Sequence, residues 1–235
     1  YPYEGEWRRP EMKVVSLYVD QSPVGDQSQD RAREFGFGVY ATIAETLRCG
    51  GEKISVDAVL IIGEHGEYPI NEIGQKLYPR HEFFKQCVEV FEADGRSVPI
   101  YNDKHLSYSF DKALAMVDHG RRLGFPMLAG SSLPVTWRMP EMEIPLGAPI
   151  SEALTIDPGT SLDSSGFHAL EAMQCLVERR KGGETGIRGV QLLEGDAVWE
   201  AMHRGAWSRE LMSRALSRSD LVEGITLVDA RTQDL

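Results

Sequence analysis

Short apolar runs alternate with amphipathic stretches over the first 130 residues. The runs are rich in β-branched and aromatic residues and predict strands at 13–20, 37–40, 56–62, 98–101 and 126–130. The stretches between them predict helices at 27–35, 43–48, 82–93 and 110–124. Parallel strands joined by helices need right-handed crossovers. We therefore expect an α/β fold with a doubly wound, Rossmann-like parallel sheet covered on both faces.

The pattern changes after Trp137, where prolines become frequent and no further strand-helix-strand unit is evident. This change predicts a boundary between a nucleotide-binding domain, 1–138, and a smaller α+β domain, 139–235, for substrate binding or oligomerisation. In the second domain we expect these elements: a helix at 164–178, a hairpin formed by 189–193 and 197–200, and a helix at 207–218.

Composition narrows the class of protein. With 42% apolar and 26% charged residues the chain is typical of a globular protein, and no apolar run approaches the roughly 20 residues of a membrane span. A net charge of −11 disfavours nucleic acid. Cys49, Cys87 and Cys175 are widely spaced, which predicts free thiols in a reducing, cytoplasmic setting. The sequence opens at Tyr1 within an apparent loop, so we expect an upstream segment.

Polar residues follow each predicted strand of the first domain. They are Asp20, the run Gly63-Glu64-His65-Gly66, the run Asn102-Asp103-Lys104-His105, and Ser131. Ligands of open α/β sheets bind at the carboxyl ends of the strands. The sequence therefore predicts a cleft at this edge.

Single residues within this set leave alternatives open. Asp20 stands where a dinucleotide fold places the carboxylate that binds a ribose, but it would equally serve as a turn cap. The glycine-rich turn G-x-G-x-x-G is absent from the sequence. Lys104 is either a proton donor to a substrate oxygen or a solvated lysine. His168 lies in an apolar helical stripe, a pattern that favours a core role.

Two segments resemble the glucose-fructose oxidoreductase/inositol dehydrogenase (Gfo/Idh/MocA) family. They are VDAVLIIG at 56–63 and the stretch SVPIYNDKHL that begins at Ser97. In that family a strand leads into a Glu-Lys-Pro motif. This chain matches it at Lys104 and departs at Asp103 and His105. The segment GFHALEAM at 166–173 is similar to the family's histidine-bearing helix.

The resemblance implies an oxidoreductase that uses NAD or NADP on a hydroxylated, sugar-like or cyclitol-like small molecule. Lys104 would polarise the substrate and His168 would be the general acid/base, against the core role that pattern alone favours. The cofactor would contact the remaining site residues, Asp20, Gly63, Glu64, His65 and Asp103. The second domain would be the surface for a homo-oligomer such as a dimer.

Two other functions are compatible with the same residues. The side chains of Glu64, His65, Asp103, His105 and His168 would together suit Zn²⁺, Mn²⁺ or Fe²⁺ in a lyase, isomerase or hydrolase. A binding module without catalysis is the third alternative. The long loop after Gly63 offers further hydrogen-bonding groups for a polyol, which are Tyr68, Asn71, Gln75 and Tyr78.

Overall fold

The computed structural model describes residues 2–3, 6–8, 10–138, 140–157 and 162–218. The chain divides into two compact units, Tyr1–Gly130 and Ser131–Leu235. The first unit contains, in order, β1 Pro2–Tyr3, β2 Glu6–Trp7, β3 Ser16–Tyr18, α1 Ser28–Phe35, β4 Gly38–Tyr40, α2 Ile43–Arg48, β5 Val59–Ile61, α3 Arg80–Asp94, β6 Ile100–Asp103, α4 Phe110–Leu123 and β7 Met127–Gly130. The second contains short turns at Leu133–Val135 and Leu162–Gly166, then α5 Phe167–Val177, α6 Asp196–His203 and α7 Arg209–Leu216.

The first unit is mixed α/β with parallel pairing. Strand β3 pairs with β4, and β6 lies between β5 and β7 in a three-stranded sheet. Strands β1 and β2 form a separate antiparallel pair. The expected alternation of strands and helices is confirmed in this coarser form. The parallel strands form two separate small sheets in the described residues, where one continuous sheet was expected.

Local sequence accounts for the ends of the helices. The Thr42 hydroxyl accepts a hydrogen bond from the Glu45 backbone N–H at 3.1 Å, so Thr42 caps α2. Helix α4 begins after Ser109, whose hydroxyl accepts from the Lys112 N–H at 3.5 Å. It ends at Gly124, which adopts a left-handed φ of 70° that glycine reaches without strain.

The core lies between the three-stranded sheet and helices α3 and α4. Its most deeply buried apolar side chains are Phe84, Phe91, Ile100 and Met116. Phe91 packs edge-on against Phe125 with ring centroids 5.3 Å apart. Burying an aliphatic or aromatic side chain of this size contributes about 1.5–3 kcal/mol. This packing fixes the positions from which β5 and β6 present their carboxyl ends.

The opposite face of the same sheet carries Leu60, Tyr101 and Leu128 in register. Side chains alternate along a strand, so this face points away from α3 and α4. Leu60 is 63% exposed and Leu128 67% exposed. This face of the sheet is therefore largely open within the described part of the chain, and the expected cover of helices on both faces stays a prediction.

An ion pair connects α2 with α3. Arg48 donates to both carboxylate oxygens of Asp94, at 2.7 Å and 3.0 Å, and the Ile54 N–H donates to Oδ2 at 3.0 Å. The Asp94 side chain is only 3% exposed. Its hydrogen bonds with Arg48 outweigh the opposing effect of burial and lower the Asp94 pKa.

The second unit differs from its expected α+β form. Its described residues contain helices, short turns and an isolated bridge between Ala148 and Arg180, but no strand. The predicted hairpin is wrong, because its second arm, 197–200, lies inside α6 and its first arm has no regular structure. The expected helix at 164–178 is confirmed: a π-helical turn, Leu162–Gly166, runs directly into α5, Phe167–Val177. Residues 219–235 of the sequence lie outside the described residues.

Burial is uneven between the units. Among the described residues of the second unit only Ala201 and Met202 are buried, whereas the first unit holds the whole of the main hydrophobic cluster. Trp207 donates its indole N–H to the Val198 carbonyl at 2.9 Å, and its ring centroid lies 6.1 Å from that of Trp199. Across the described ranges, none of the helices has the length and apolarity needed to cross a bilayer.

Candidate functional site

The candidate site lies at the carboxyl ends of β5 and β6. The two strands run parallel with Ile61 opposite Asn102, so the residues that follow Ile61 come close to the end of β6. Gly63 allows this segment to approach α3, because a Cβ at Gly63 would lie 2.9 Å from the Arg80 Cγ. The backbone thus places Glu64 beside the last residues of β6.

Three charged side chains meet at this edge. The Lys104 ammonium lies 3.0 Å from Asp103 Oδ2 and 3.3 Å from Glu64 Oε2. Their side chains are 18%, 14% and 27% exposed in the order Lys104, Asp103, Glu64. We call these three residues the acid-lysine cluster. A cation between two carboxylates in partly desolvated surroundings is held in one position.

The charge of Lys104 is fixed by its neighbours. Partial burial lowers its pKa, but hydrogen bonds and electrostatic attraction from Asp103 and Glu64 outweigh this effect, so the pKa of Lys104 is raised above its ordinary value of 10.5. Lys104 is therefore an ammonium at neutral pH. It can donate a hydrogen bond to an oxygen but cannot act as a base.

The backbone of Lys104 is also constrained. Its φ is 68°, in the left-handed region that a non-glycine residue seldom adopts. The Lys104 N–H donates to the Gly130 carbonyl at 3.0 Å, and the Tyr101 hydroxyl donates to the same oxygen at 2.5 Å. Contacts to the end of β7 therefore hold the conformation in place. Strained residues of this kind are frequent at functional sites.

Strand β6 extends two residues further than the apolar pattern predicts. Asn102 was expected to follow the strand, but it lies within it and is fully buried. Its amide nitrogen donates to the carbonyls of Asp103 and His105, at 3.3 Å and 3.1 Å. Asn102 thus fixes the turn that carries Lys104.

His105 lies beside a buried arginine. An Arg80 guanidinium nitrogen is 3.0 Å from His105 Nε2, and the Arg80 side chain stacks on the Tyr78 ring at 4.7 Å. Arg80 is only 2% exposed. Because a guanidinium only donates, Nε2 must accept, which places the imidazole proton on Nδ1 in the neutral ring. This Nε2 lone pair is not available to a metal.

His65 projects outward. Its side chain is 90% exposed, its φ is 64°, and its Nε2 lies 3.7 Å from Glu64 Oε1. Among the described residues, no group of three or more His, Cys, Asp or Glu side chains is placed to hold a metal ion. The metal alternative therefore has no ligand cluster in this part of the chain.

Asp20 connects β3 with the loop that follows β5. It accepts a hydrogen bond from the Tyr18 hydroxyl on one oxygen and from the Tyr68 hydroxyl on the other, both at 2.9 Å. Partial burial and the contact with Asp20 raise the pKa of Tyr68 to about 12, so Tyr68 remains a donor. Each carboxylate oxygen keeps a further lone pair. The ribose contact expected of Asp20 stays a prediction.

The other polar residues of this loop serve its own conformation. Asn71 Nδ2 donates to Gln75 Oε1 at 2.9 Å, and the Gln75 N–H donates to Asn71 Oδ1 at 2.9 Å. Tyr68 and Tyr78 pack 5.9 Å apart. Substrate contact by these residues remains a prediction, with much of their hydrogen-bonding capacity used locally.

His168 belongs to the second unit, on the first turn of α5. Its Nδ1 lies 3.6 Å from Glu171 Oε2, one turn along the helix. Glu171 also accepts a hydrogen bond from the Ser131 backbone N–H at 2.6 Å and another from the Ser131 hydroxyl. The His168 side chain is 31% exposed, so it is not the buried core residue that its apolar stripe favours.

Two of these residues were missed by sequence reasoning. Glu171 stands three positions after His168, and that helical spacing was a signal available from the sequence. Arg80 was not, because a single basic residue in a polar loop gives no indication of burial.

A shallow cavity of about 380 Å³ lies elsewhere in the first unit. It is lined by Val117, Gly120, Phe125 and Met127, at the amino end of β7, and Arg121 is its one ionisable residue. It therefore offers no acid-base chemistry comparable to the acid-lysine cluster.

The geometry makes the acid-lysine cluster the strongest candidate site in the first unit. It combines partial burial, a fixed cation and strained backbone at the edge where parallel sheets bind ligands. Comparison of the sequence with models of known protein families gives no match, and a search among curated proteins gives none either.

Proposed function

We propose that this chain is an oxidoreductase-like protein that transfers hydride between NAD or NADP and a hydroxylated, sugar-like or cyclitol-like substrate. The observation that carries the proposal is the Lys104 ammonium, held protonated by Asp103 and Glu64 at the end of β6. The resemblance of the surrounding segment to the Gfo/Idh/MocA family supports the same chemistry.

Lys104 serves as the electrophilic group. Oxidation of a secondary alcohol to a carbonyl removes a hydride from carbon and a proton from oxygen. As the proton leaves, negative charge develops on the oxygen, and a fixed ammonium stabilises that charge. The family resemblance gives the proton-accepting role to His168, which returns the proton in the reverse reaction. The two carboxylates keep Lys104 charged, so Lys104 does not itself take the proton.

The described residues fit a dinucleotide in part. Asp20 follows β3 and retains acceptor capacity for a ribose diol after binding two tyrosine hydroxyls. The G-x-G-x-x-G turn that binds the diphosphate in dinucleotide folds is absent from the sequence. When bound, the nicotinamide supplies or accepts the hydride, while the chain's own residues position the substrate oxygen and move its proton.

The finer fold assignment belongs to the same proposal: the two parallel sheets are parts of one doubly wound, Rossmann-like layer. Gln21, after β3, exchanges hydrogen bonds with the Glu67 backbone, after β5, at 2.8 Å and 3.1 Å. Helix α2 also packs against α3. These contacts support both sheets presenting their carboxyl ends to the same side.

The test is substitution of Lys104 with a matched control. NADH and NADPH fluorescence titrations and a dehydrogenase assay over a panel of cyclitols and aldoses are run on wild type, Lys104→Ala and Lys85→Ala. Lys85 is an exposed lysine on α3. We expect Lys104→Ala to lower turnover by roughly 10²-fold or more while nucleotide affinity changes little. Lys85→Ala is expected to match wild type. Full turnover in Lys104→Ala, or no nucleotide binding by wild type, overturns the proposal.

A further inference from the structure

The geometry around α5 assigns a specific role to Glu171. We propose that Glu171 is a positioning residue that fixes the neutral His168 ring with its proton on Nδ1, so that Nε2 carries the lone pair that exchanges protons. A catalytic role for this pair rests on the proposed function. The contact between His168 and Glu171 does not depend on that proposal.

The orientation of the imidazole carries the first step. His168 Nδ1 is buried and lies 3.6 Å from Glu171 Oε2, longer than a hydrogen bond, and it has no hydrogen-bond partner within the described part of the chain. A lone pair on Nδ1 would face the carboxylate and be repelled by it, whereas an N–H in the same place is attracted. The tautomer with the proton on Nδ1 is therefore favoured.

The second step is the fixed position of the carboxylate. Glu171 is 13% exposed, and Ser131 donates to both of its oxygens, through the backbone N–H and through the hydroxyl. The Ser131 oxygen in turn accepts from the Leu133 N–H at 3.2 Å. Glu171 thus cannot turn away from the ring without losing two hydrogen bonds. Metal-bound and catalytic histidines are oriented by carboxylates that accept a hydrogen bond from the ring, and the same two groups face each other here at 3.6 Å.

Other charges near α5 are few among the described residues. The Leu133–Val135 turn, which packs on α5, contains no ionisable residue. The Leu162–Gly166 turn contributes Asp163, and Arg138 contacts the Cys175 sulfur further along the helix at 3.4 Å. Asp163 is therefore the natural control for a general effect of negative charge.

The experiment measures the tautomer directly. Long-range ¹H–¹⁵N correlation spectra of the His168 ring are recorded at a pH at which the ring is neutral. The proteins compared are wild type, Glu171→Gln, Ser131→Ala and Asp163→Asn. We expect mainly Nδ1–H in wild type and mainly Nε2–H in Glu171→Gln, whose amide can donate to Nδ1. Ser131→Ala should give an intermediate ratio, and Asp163→Asn should match wild type.

The outcomes separate this inference from the proposed function. An unchanged tautomer in Glu171→Gln, or a shift of equal size in Asp163→Asn, overturns the role of Glu171. If Glu171→Gln fails to fold by circular dichroism, an unchanged ratio in Ser131→Ala has the same force. If Glu171→Gln loses the Nδ1–H tautomer while Lys104→Ala keeps full turnover, the positioning role of Glu171 stands and hydride transfer is rejected.

Discussion

Lys104 and Glu64 follow neighbouring parallel strands, and their charged groups lie 3.3 Å apart. With Asp103 on the other side of the ammonium, the contact raises the pKa of Lys104 above 10.5. A pKa that is higher in the folded state stabilises the fold below the unfolded-state value. This stabilisation is complete below about pH 10.5 and is lost as the pH rises through the folded-state pKa.

The first prediction concerns stability at alkaline pH. We expect Lys104→Met to lower the free energy of unfolding by about 1 kcal/mol at pH 8, and the difference from wild type to shrink at pH 11. Urea titrations at both pH values measure it. Lys85→Met, which removes an exposed pair with Glu89, is the control and should show a smaller difference. An equal pH dependence in both variants would contradict the structure.

The second prediction uses the left-handed backbone at Lys104. Glycine reaches a φ of 68° without the clash that a Cβ creates, so Lys104→Gly should be more stable than Lys104→Ala by about 1 kcal/mol. The order should reverse at Lys85 in the interior of α3, where glycine costs about 1 kcal/mol relative to alanine. Denaturant midpoints of the four variants decide the matter, and the same order at both positions would argue against the strain.

The third prediction concerns acid. The pKa of Asp94 is lowered in the fold, so its contribution to stability is present above its ordinary value of 3.8 and is lost as the pH falls through the folded-state pKa. Asp94→Asn should therefore lower the unfolding midpoint at pH 7 and converge with wild type in strong acid. A constant difference from pH 7 to pH 2 would show that the charge of Asp94 is not the cause.

The fourth prediction concerns thiol reactivity. Burial raises the pKa of Cys87 to about 12, so its thiolate is scarce at pH 8 and the sulfur is enclosed. Cys49 is only partly buried. Alkylation followed by peptide mass spectrometry should label Cys49 in the native protein and Cys87 only after unfolding. Equal labelling rates without denaturant would place Cys87 outside the core.

The first unit was predictable where the signal was local. The Thr42 cap and the strand-helix alternation follow from short-range patterns, and both appear in the structure. Asn102 shows the limit. Because Asn102 is polar, the apolar pattern predicted that the strand ends before it. Hydrogen bonds from Asn102 to two carbonyls allow this residue to be buried within β6. Such a contact depends on the turn that follows, which no apolar pattern describes.

The second unit shows a different limit. The apolar run at 197–200 is short enough to suit either a strand or a helix. In the structure it is part of α6, and the Trp199 ring packs against the Trp207 ring. At the candidate site the sequence located the polar edge and Lys104. It did not indicate the buried Arg80 beside His105, because that contact joins residues 25 positions apart.

The uneven burial of the two units has a consequence for opening rates. Helix α3 and strand β6 contribute buried residues to the main hydrophobic cluster, so we expect their backbone amides to exchange with solvent only through large-scale unfolding. Helix α5 has no fully buried residue, so its amides become accessible through smaller and more frequent openings. The His168–Glu171 pair therefore lies in a part of the chain whose backbone amides are expected to exchange early. The acid-lysine cluster lies in a part whose amides are expected to exchange late.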